Sequence, residues 1–143
     1  MYFVLKPEVA GGRGPTTVAD RTVHPPIISK LEYRFEGWSG DDILESFPCF
    51  IVTERLRTAL EQTTLTGYEF ADVTITRSEE FNEMEAELHP DRVLPDFKWL
   101  KVGGHCKEND FGITNDYNLC VSPAAMEVLQ QFNIQHCLIK QVK

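Results

Sequence analysis

The stretch "CFIVTERLRTALEQTTLTGYEFADVTIT", residues 49–76, restricts the fold more than any other part of the chain. The apolar run "CFIV" reads as a brief buried strand. Thr53 then stands where a helix cap belongs, and Leu56, Ala59 and Leu60 share one face of "ERLRTALEQTTL" before Gly67. "YEFADVTIT" follows as a returning strand. The order recurs in "NLCV", Ser122, Pro123 at a first helical position, "AAMEVLQQFNI" and the strand-like "HCLIKQV". Aligning Thr53 with Ser122 sets Leu60 on Leu129 and Leu65 on Ile134, which suggests a duplicated strand–helix–strand unit.

The remaining segments are mostly strand-like. "KLEYRFEGW" alternates Leu31, Tyr33 and Phe35 with Glu32, Arg34 and Glu36, the period of a half-buried strand. "FKWLKVGG" alternates Phe97 and Trp99 with Lys98, Leu100 and Val102, and "NDFGITNDYNL" predicts a hairpin turning near Asn115 and Asp116. Residues 1–28 open with the strand-like "YFVLK". The glycines and prolines of "GGRGP" and "HPPII" then predict irregular backbone, a lid or a sheet edge. In "WSGDDILESFP", Ser39 fits an N-cap with Asp42 three residues on. Asp41 and Glu45 complement the positive end of a short helix that Pro48 would stop. The expectation is an α+β fold in a single domain, residues 1–143. It has a mixed, mainly antiparallel sheet, two main helices at about 53–64 and 122–132, and a short helix near 40–47.

Composition narrows the function classes. Hydrophobic residues at 42% and charged residues at 25% are those of an ordinary globular protein. The opening "MYFVLKPEV" is too short for the apolar core of a signal peptide, which predicts a cytoplasmic chain without a membrane role. A net charge of −8 repels phosphate backbones, so no nucleic-acid partner is expected and basic proteins are favoured. Cys49, Cys106, Cys120 and Cys137 form no CxxC pair and are expected to be reduced.

Each chemical motif has a plainer explanation. Asp41, Asp42 and Glu45 are accounted for by helix capping, and no Glu-x-x-His or His-x-x-x-His supports them as a metal or acid–base group. His105-Cys106 and His136-Cys137 are adjacent pairs whose side chains diverge on a strand, so no metal site is expected. Nor does an elbow motif single out any cysteine to pair with His24, His89, His105 or His136. "AGGRG" lacks the Lys-Ser/Thr of a phosphate loop and reads as a flexible turn with Arg13 at its tip. No catalytic residue and no cofactor are expected. "SEEFNEMEAELHPDRVLPDF" places seven acids between Glu79 and Asp96 against Arg92 alone, a solvated acidic segment able to steer a basic partner.

The pattern of residues 49–76, a short strand, a hydroxyl cap, a Leu-rich helix, Leu-x-Gly and an aromatic-bearing strand, resembles immunity proteins of bacterial polymorphic toxin systems. The resemblance covers about a fifth of the chain and lies in the scaffold. It implies a small, acidic, cytosolic, non-enzymatic protein that binds a cognate toxin domain. The partner-binding residues expected are Asp41, Asp42, Glu45, Glu79, Glu80, Glu83, Trp38 and Trp99, with Phe81 a further anchor candidate. Two alternatives remain: a small enzyme using a cleft near Asp41, Asp42, Arg13 and His24, or an oligomeric structural module such as a homodimer.

Overall fold

A strand that is apolar on both faces is stable only between two other layers, and "CFIV" is such a strand. The structure, a computed structural model, describes residues 1–142. The chain begins with β1 (Tyr2–Lys6), β2 (Gly11–Arg13), β3 (Val18–Asp20), β4 (Ile27–Lys30) and β5 (Glu32–Phe35). It continues through β6 (Ile43–Ser46), β7 (Cys49–Thr53), α1 (Glu54–Glu61), β8 (Tyr68–Ala71), β9 (Thr74–Arg77) and α2 (Glu79–Leu88). It ends with β10 (Phe97–Val102), β11 (Phe111–Ile113), β12 (Leu119–Val121), α3 (Pro123–Leu129) and β13 (Leu138–Val142). Three helices with many antiparallel strands make this an α+β fold. No described helix is long and apolar enough to cross a membrane.

The central layer is the antiparallel sheet β6-β7-β10-β8. Successive side chains of a strand point to opposite faces, so β7 sends Phe50 and Val52 into one core and Cys49 and Ile51 into another. The first core is closed by the sheet β11-β12-β1-β13 together with α1 and α3, through Leu5, Phe111, Leu56, Leu60, Met126 and Leu129. The second is closed by the sheet β2-β5-β9 and by Phe81 of α2. There the ring of Phe35 lies 5.2 Å from Phe97 and 5.8 Å from Phe81. A two-stranded ribbon, β3 with β4, adds Ile28 to this core.

The two larger sheets are built alike. In one, the β6–β7 hairpin leads through α1 to β8, and β10 lies between β7 and β8. In the other, the β11–β12 hairpin leads through α3 to β13, and β1 lies between β12 and β13. Every pairing in both sheets is antiparallel. The duplicated strand–helix–strand pattern thus appears as a shared topology, with the intervening strand drawn from different parts of the chain.

Several local expectations are corrected. Residues 40–47 form no helix. Ile43 packs in the first core and Leu44 in the second, a division that a strand achieves and one helical face does not. Ser46 pairs with Cys49 across Phe47-Pro48, and the Ser39 amide caps nothing but donates to Glu8 Oε2. Residues 11–13 are not a flexible turn: β2 pairs with β5, and a Cβ on Gly11 would meet the Arg34 carbonyl oxygen at 1.9 Å. β1 is an inner strand of its sheet rather than a lid or edge.

The acidic segment contains α2, started by Ser78, whose hydroxyl accepts from the Phe81 amide. The hydroxyl of Ser122 likewise accepts from the Ala125 amide. Thr53 stands at the N-cap of α1 without a side-chain cap bond, its hydroxyl donating instead to Asp42. Glu32, expected outward, is buried beside Thr16 and Thr76. The four cysteines are not all reduced: the turn after Gly104 comes against β12, and Cys106 and Cys120 form a disulfide while Cys49 and Cys137 remain free. The partners are separated by 14 residues and are joined by the fold rather than by any spacing motif.

Candidate functional site

Two buried carboxylates tie the loop before β6 to the loop after α3. Asp42 donates its amide to the Asn133 carbonyl at 2.7 Å and accepts the Asn133 amide on Oδ2 at 2.8 Å. Its Oδ1 accepts from the Thr53 hydroxyl at 2.6 Å and from Arg55 Nε at 2.7 Å, while Arg55 Nη2 reaches Oδ2 at 2.5 Å. Burial alone would raise the Asp42 carboxyl. The bonds from Arg55, Thr53 and Asn133 outweigh it and hold the group below the ordinary carboxylate value. Asp41 accepts the His136 amide on Oδ2 at 2.9 Å, and its Oδ1 lies 3.1 Å from His136 Nδ1. That bond raises the His136 imidazole above its ordinary value. Glu8 joins this corner of the molecule, because its carbonyl accepts from the Glu45 amide.

The other expected residues scatter. Glu45 is half-buried in β6, where burial raises its carboxyl and Lys6 partly opposes the rise. Trp38 is half-buried, donates Nε1 to the Asp41 carbonyl at 3.0 Å, and carries the Arg92 guanidinium 4.8 Å above its ring. Trp99 is buried in the second core with the Lys101 ammonium 5.0 Å from its ring centre. Arg13 lies on β2, and His24 stacks on Phe47 and meets Tyr117 edge-to-face; neither bonds to Asp41 or Asp42. The groove beside Asp42 is lined instead by Trp38, Arg55, Thr58, Val93 and Pro95. Burial pushes the thiols of Cys49 and Cys137 up to about 12, so neither supplies a thiolate at neutral pH. Asp41, Asp42, Trp99 and Phe81 are all buried, which removes them from any contact face on the surface.

The exposed acids belong to α2. Phe81 and Glu85 face inward, Glu85 pairing with Arg92, and the same arginine donates to the Trp38 carbonyl at 2.9 Å. Glu79, Glu80, Glu83 and Glu87 point to solvent, with no ion pair among the described residues. Met84 and Leu88 lie beside them, toward the buried side of the helix, 40% and 62% exposed, and Val93 beyond the helix is 83% exposed. The Arg92 bridge links the inner side of this helix to the Trp38 loop. Glu79, Glu80 and Glu83 were legible as acids in the sequence. Glu87, Met84, Leu88 and Val93 were not singled out, although the i, i+4 spacing of Met84 and Leu88 is a signal once the helix is known. No protein-family model matches the chain, and no curated protein shows significant similarity to it.

Proposed function

We propose that the protein is a non-enzymatic, cytosolic binding protein that neutralises a basic toxin domain by direct contact through the outer face of α2 and the adjoining Trp38 groove. The observation that carries this reading is the exposure of Met84, Leu88 and Val93 beside a stripe of four carboxylates that make no ion pair among the described residues. Exposed apolar side chains grouped on one face are a common mark of a protein-contact site, and they supply the desolvated centre that tight binding requires. The surrounding acids would raise the association rate of a basic partner and reject an acidic one. The net charge of −8 adds a long-range field of the same sign. The resemblance of residues 49–76 to immunity proteins supports the toxin as the partner class.

The test is co-expression with a toxin encoded beside this chain's gene, reading growth and complex formation. Wild type should restore growth and co-purify with the toxin. The combined change Glu80→Lys, Glu83→Lys and Glu87→Lys alters only exposed positions, so stability should stay within about 0.5 kcal/mol per site while the association rate falls severalfold at low salt. Met84→Asp with Leu88→Asp should abolish the complex. Equal killing with and without the protein, or full binding by both variants, would sink the reading.

A further inference from the structure

We propose that Glu8, Asp41 and His136 form a binding site for one divalent transition-metal ion of the zinc class. One imidazole nitrogen and two carboxylate oxygens converge there, all within 4.8 Å of one another. This is a borderline donor set that suits zinc, cobalt or manganese, whereas calcium and magnesium favour oxygen alone. His136 Nδ1 lies 3.1 Å from Asp41 Oδ1, slightly inside the edge of about 3.3–3.6 Å between ligands of a tetrahedral ion with bonds of about 2.0–2.2 Å. Drawing the donors from within 4.8 Å of one another to that edge takes side-chain shifts of about 1.5 Å at most.

Three features point to an ion rather than to chance proximity. Glu8 is half-buried, yet its Oε1 is almost wholly shielded and has no hydrogen-bond partner, while Oε2 of the same group is held by the Ser39 amide at 3.0 Å. A buried carboxylate oxygen left without a partner is rare, and a cation satisfies it. Asp41 is fully buried, and among the described residues neither it nor Glu8 is paired with Lys or Arg, which leaves the His136 imidazole as the one basic group beside two carboxyl groups. The donors are also pre-positioned by the backbone: Glu8 bridges to Leu44, its carbonyl accepts from Glu45, and the His136 amide donates to Asp41 Oδ2. The His136 side chain is 48% exposed, which leaves an open side for entry of the ion and for water to complete its shell. A bound ion would tie the segment after β1, the loop before β6 and the approach to β13, three stretches far apart in the chain. The proposal reverses the expectation from the sequence that no metal is bound, and it is independent of the toxin-binding surface.

The experiment uses full-length protein stripped with chelator, then dialysed against buffered Zn²⁺ with metal counted by atomic emission and melting followed in parallel. About one Zn²⁺ per chain and a raised Tm are expected, with no displacement by excess Mg²⁺ or Ca²⁺. Glu8→Gln, which keeps an oxygen for the Ser39 amide, and His136→Asn, at an exposed ring, should each weaken binding at least tenfold and remove the rise in Tm. His89→Asn should change neither. Co²⁺ loaded in place of zinc should show no thiolate charge-transfer band, which separates this site from the buried Cys137 beside it. Failure to retain stoichiometric zinc, retention by both ligand variants, or a thiolate band overturns the proposal.

Discussion

Asp42 and Asp110 occupy equivalent points of the two sheets of like topology, and each reaches across to the other unit. Thr53 donates its amide to the Asp42 carbonyl at 2.9 Å and its hydroxyl to Oδ1 at 2.6 Å; Ser122 does the same to Asp110 at 2.8 and 2.7 Å. The second carboxylate oxygen then accepts an amide from the loop after the other unit's helix, Asn133 for Asp42 at 2.8 Å and Thr66 for Asp110 at 2.9 Å. Each aspartate thus fixes the start of one helix and the exit from the other. The exchange holds α1 and α3 together on the first core.

The two aspartates should differ in weight. Asp42 is buried, and Asp42→Ala strands the Thr53 hydroxyl and the Asn133 amide away from water, a loss of about 3 kcal/mol or more in urea unfolding. Asp110 is more accessible, and Asp110→Ala should cost about 1 kcal/mol. Arg55→Ala should cost less than about 1 kcal/mol, because its side chain is 65% exposed and solvent screens the pair. An Arg55→Ala loss equal to that of Asp42→Ala would show that the ion pair, not the clamp, dominates.

Gly67 and Gly12 provide a contrast in backbone tolerance. Gly67 has φ +96, and a Cβ there would meet the Phe111 carbonyl oxygen at 2.0 Å, whereas a Cβ on Gly12 meets nothing within 4 Å. Gly67→Ala combines left-handed strain with a backbone clash and should destabilise by about 2 kcal/mol or more. Gly12→Ala should stay within about 1 kcal/mol of wild type. Thermal unfolding of both variants measures the difference.

Acid should weaken the fold in part through Glu32. The Thr16 hydroxyl at 2.5 Å and the Thr76 hydroxyl at 2.6 Å donate to its carboxylate and lower it below its ordinary value, against the effect of burial. A lowered folded-state value means the stabilisation is present in full above the ordinary glutamate range and is lost as pH falls through the folded value. Urea midpoints between pH 6 and pH 3 should therefore drop more steeply for wild type than for Glu32→Gln. Parallel curves would remove Glu32 from the acid response.

Thiol counting checks the disulfide. Unfolded without reductant, the protein should titrate as two thiols, Cys49 and Cys137, and as four after reduction. In the folded state both should react slowly, since they are buried and protonated at neutral pH. Peptide mapping should recover Cys106 linked to Cys120; four thiols without reductant would refute the link.

The sequence by itself determined what depends on neighbours along the chain. Ser122 followed by Pro123 marked the start of α3, the alternation of Leu31, Tyr33 and Phe35 marked β5, and the recurrence of strand, cap, helix and strand carried the shared topology of two sheets. It also held a signal for α2, a Ser78 cap followed by Glu79 and Glu80, that the weak apolar period of Phe81 and Leu88 concealed. Only the tertiary structure decided the rest. Whether "DDILESFP" became helix or strand rested on two cores claiming Ile43 and Leu44 from opposite sides, a competition local capping terms of about 1 kcal/mol cannot win. Asp41 and Asp42 became clamps because their acceptors met amides 95 and 91 residues away, and Glu8 met Asp41 and His136 for the same reason. Carboxylates are chemically alike at every position in a sequence; burial and the partners brought by distant segments give each its role.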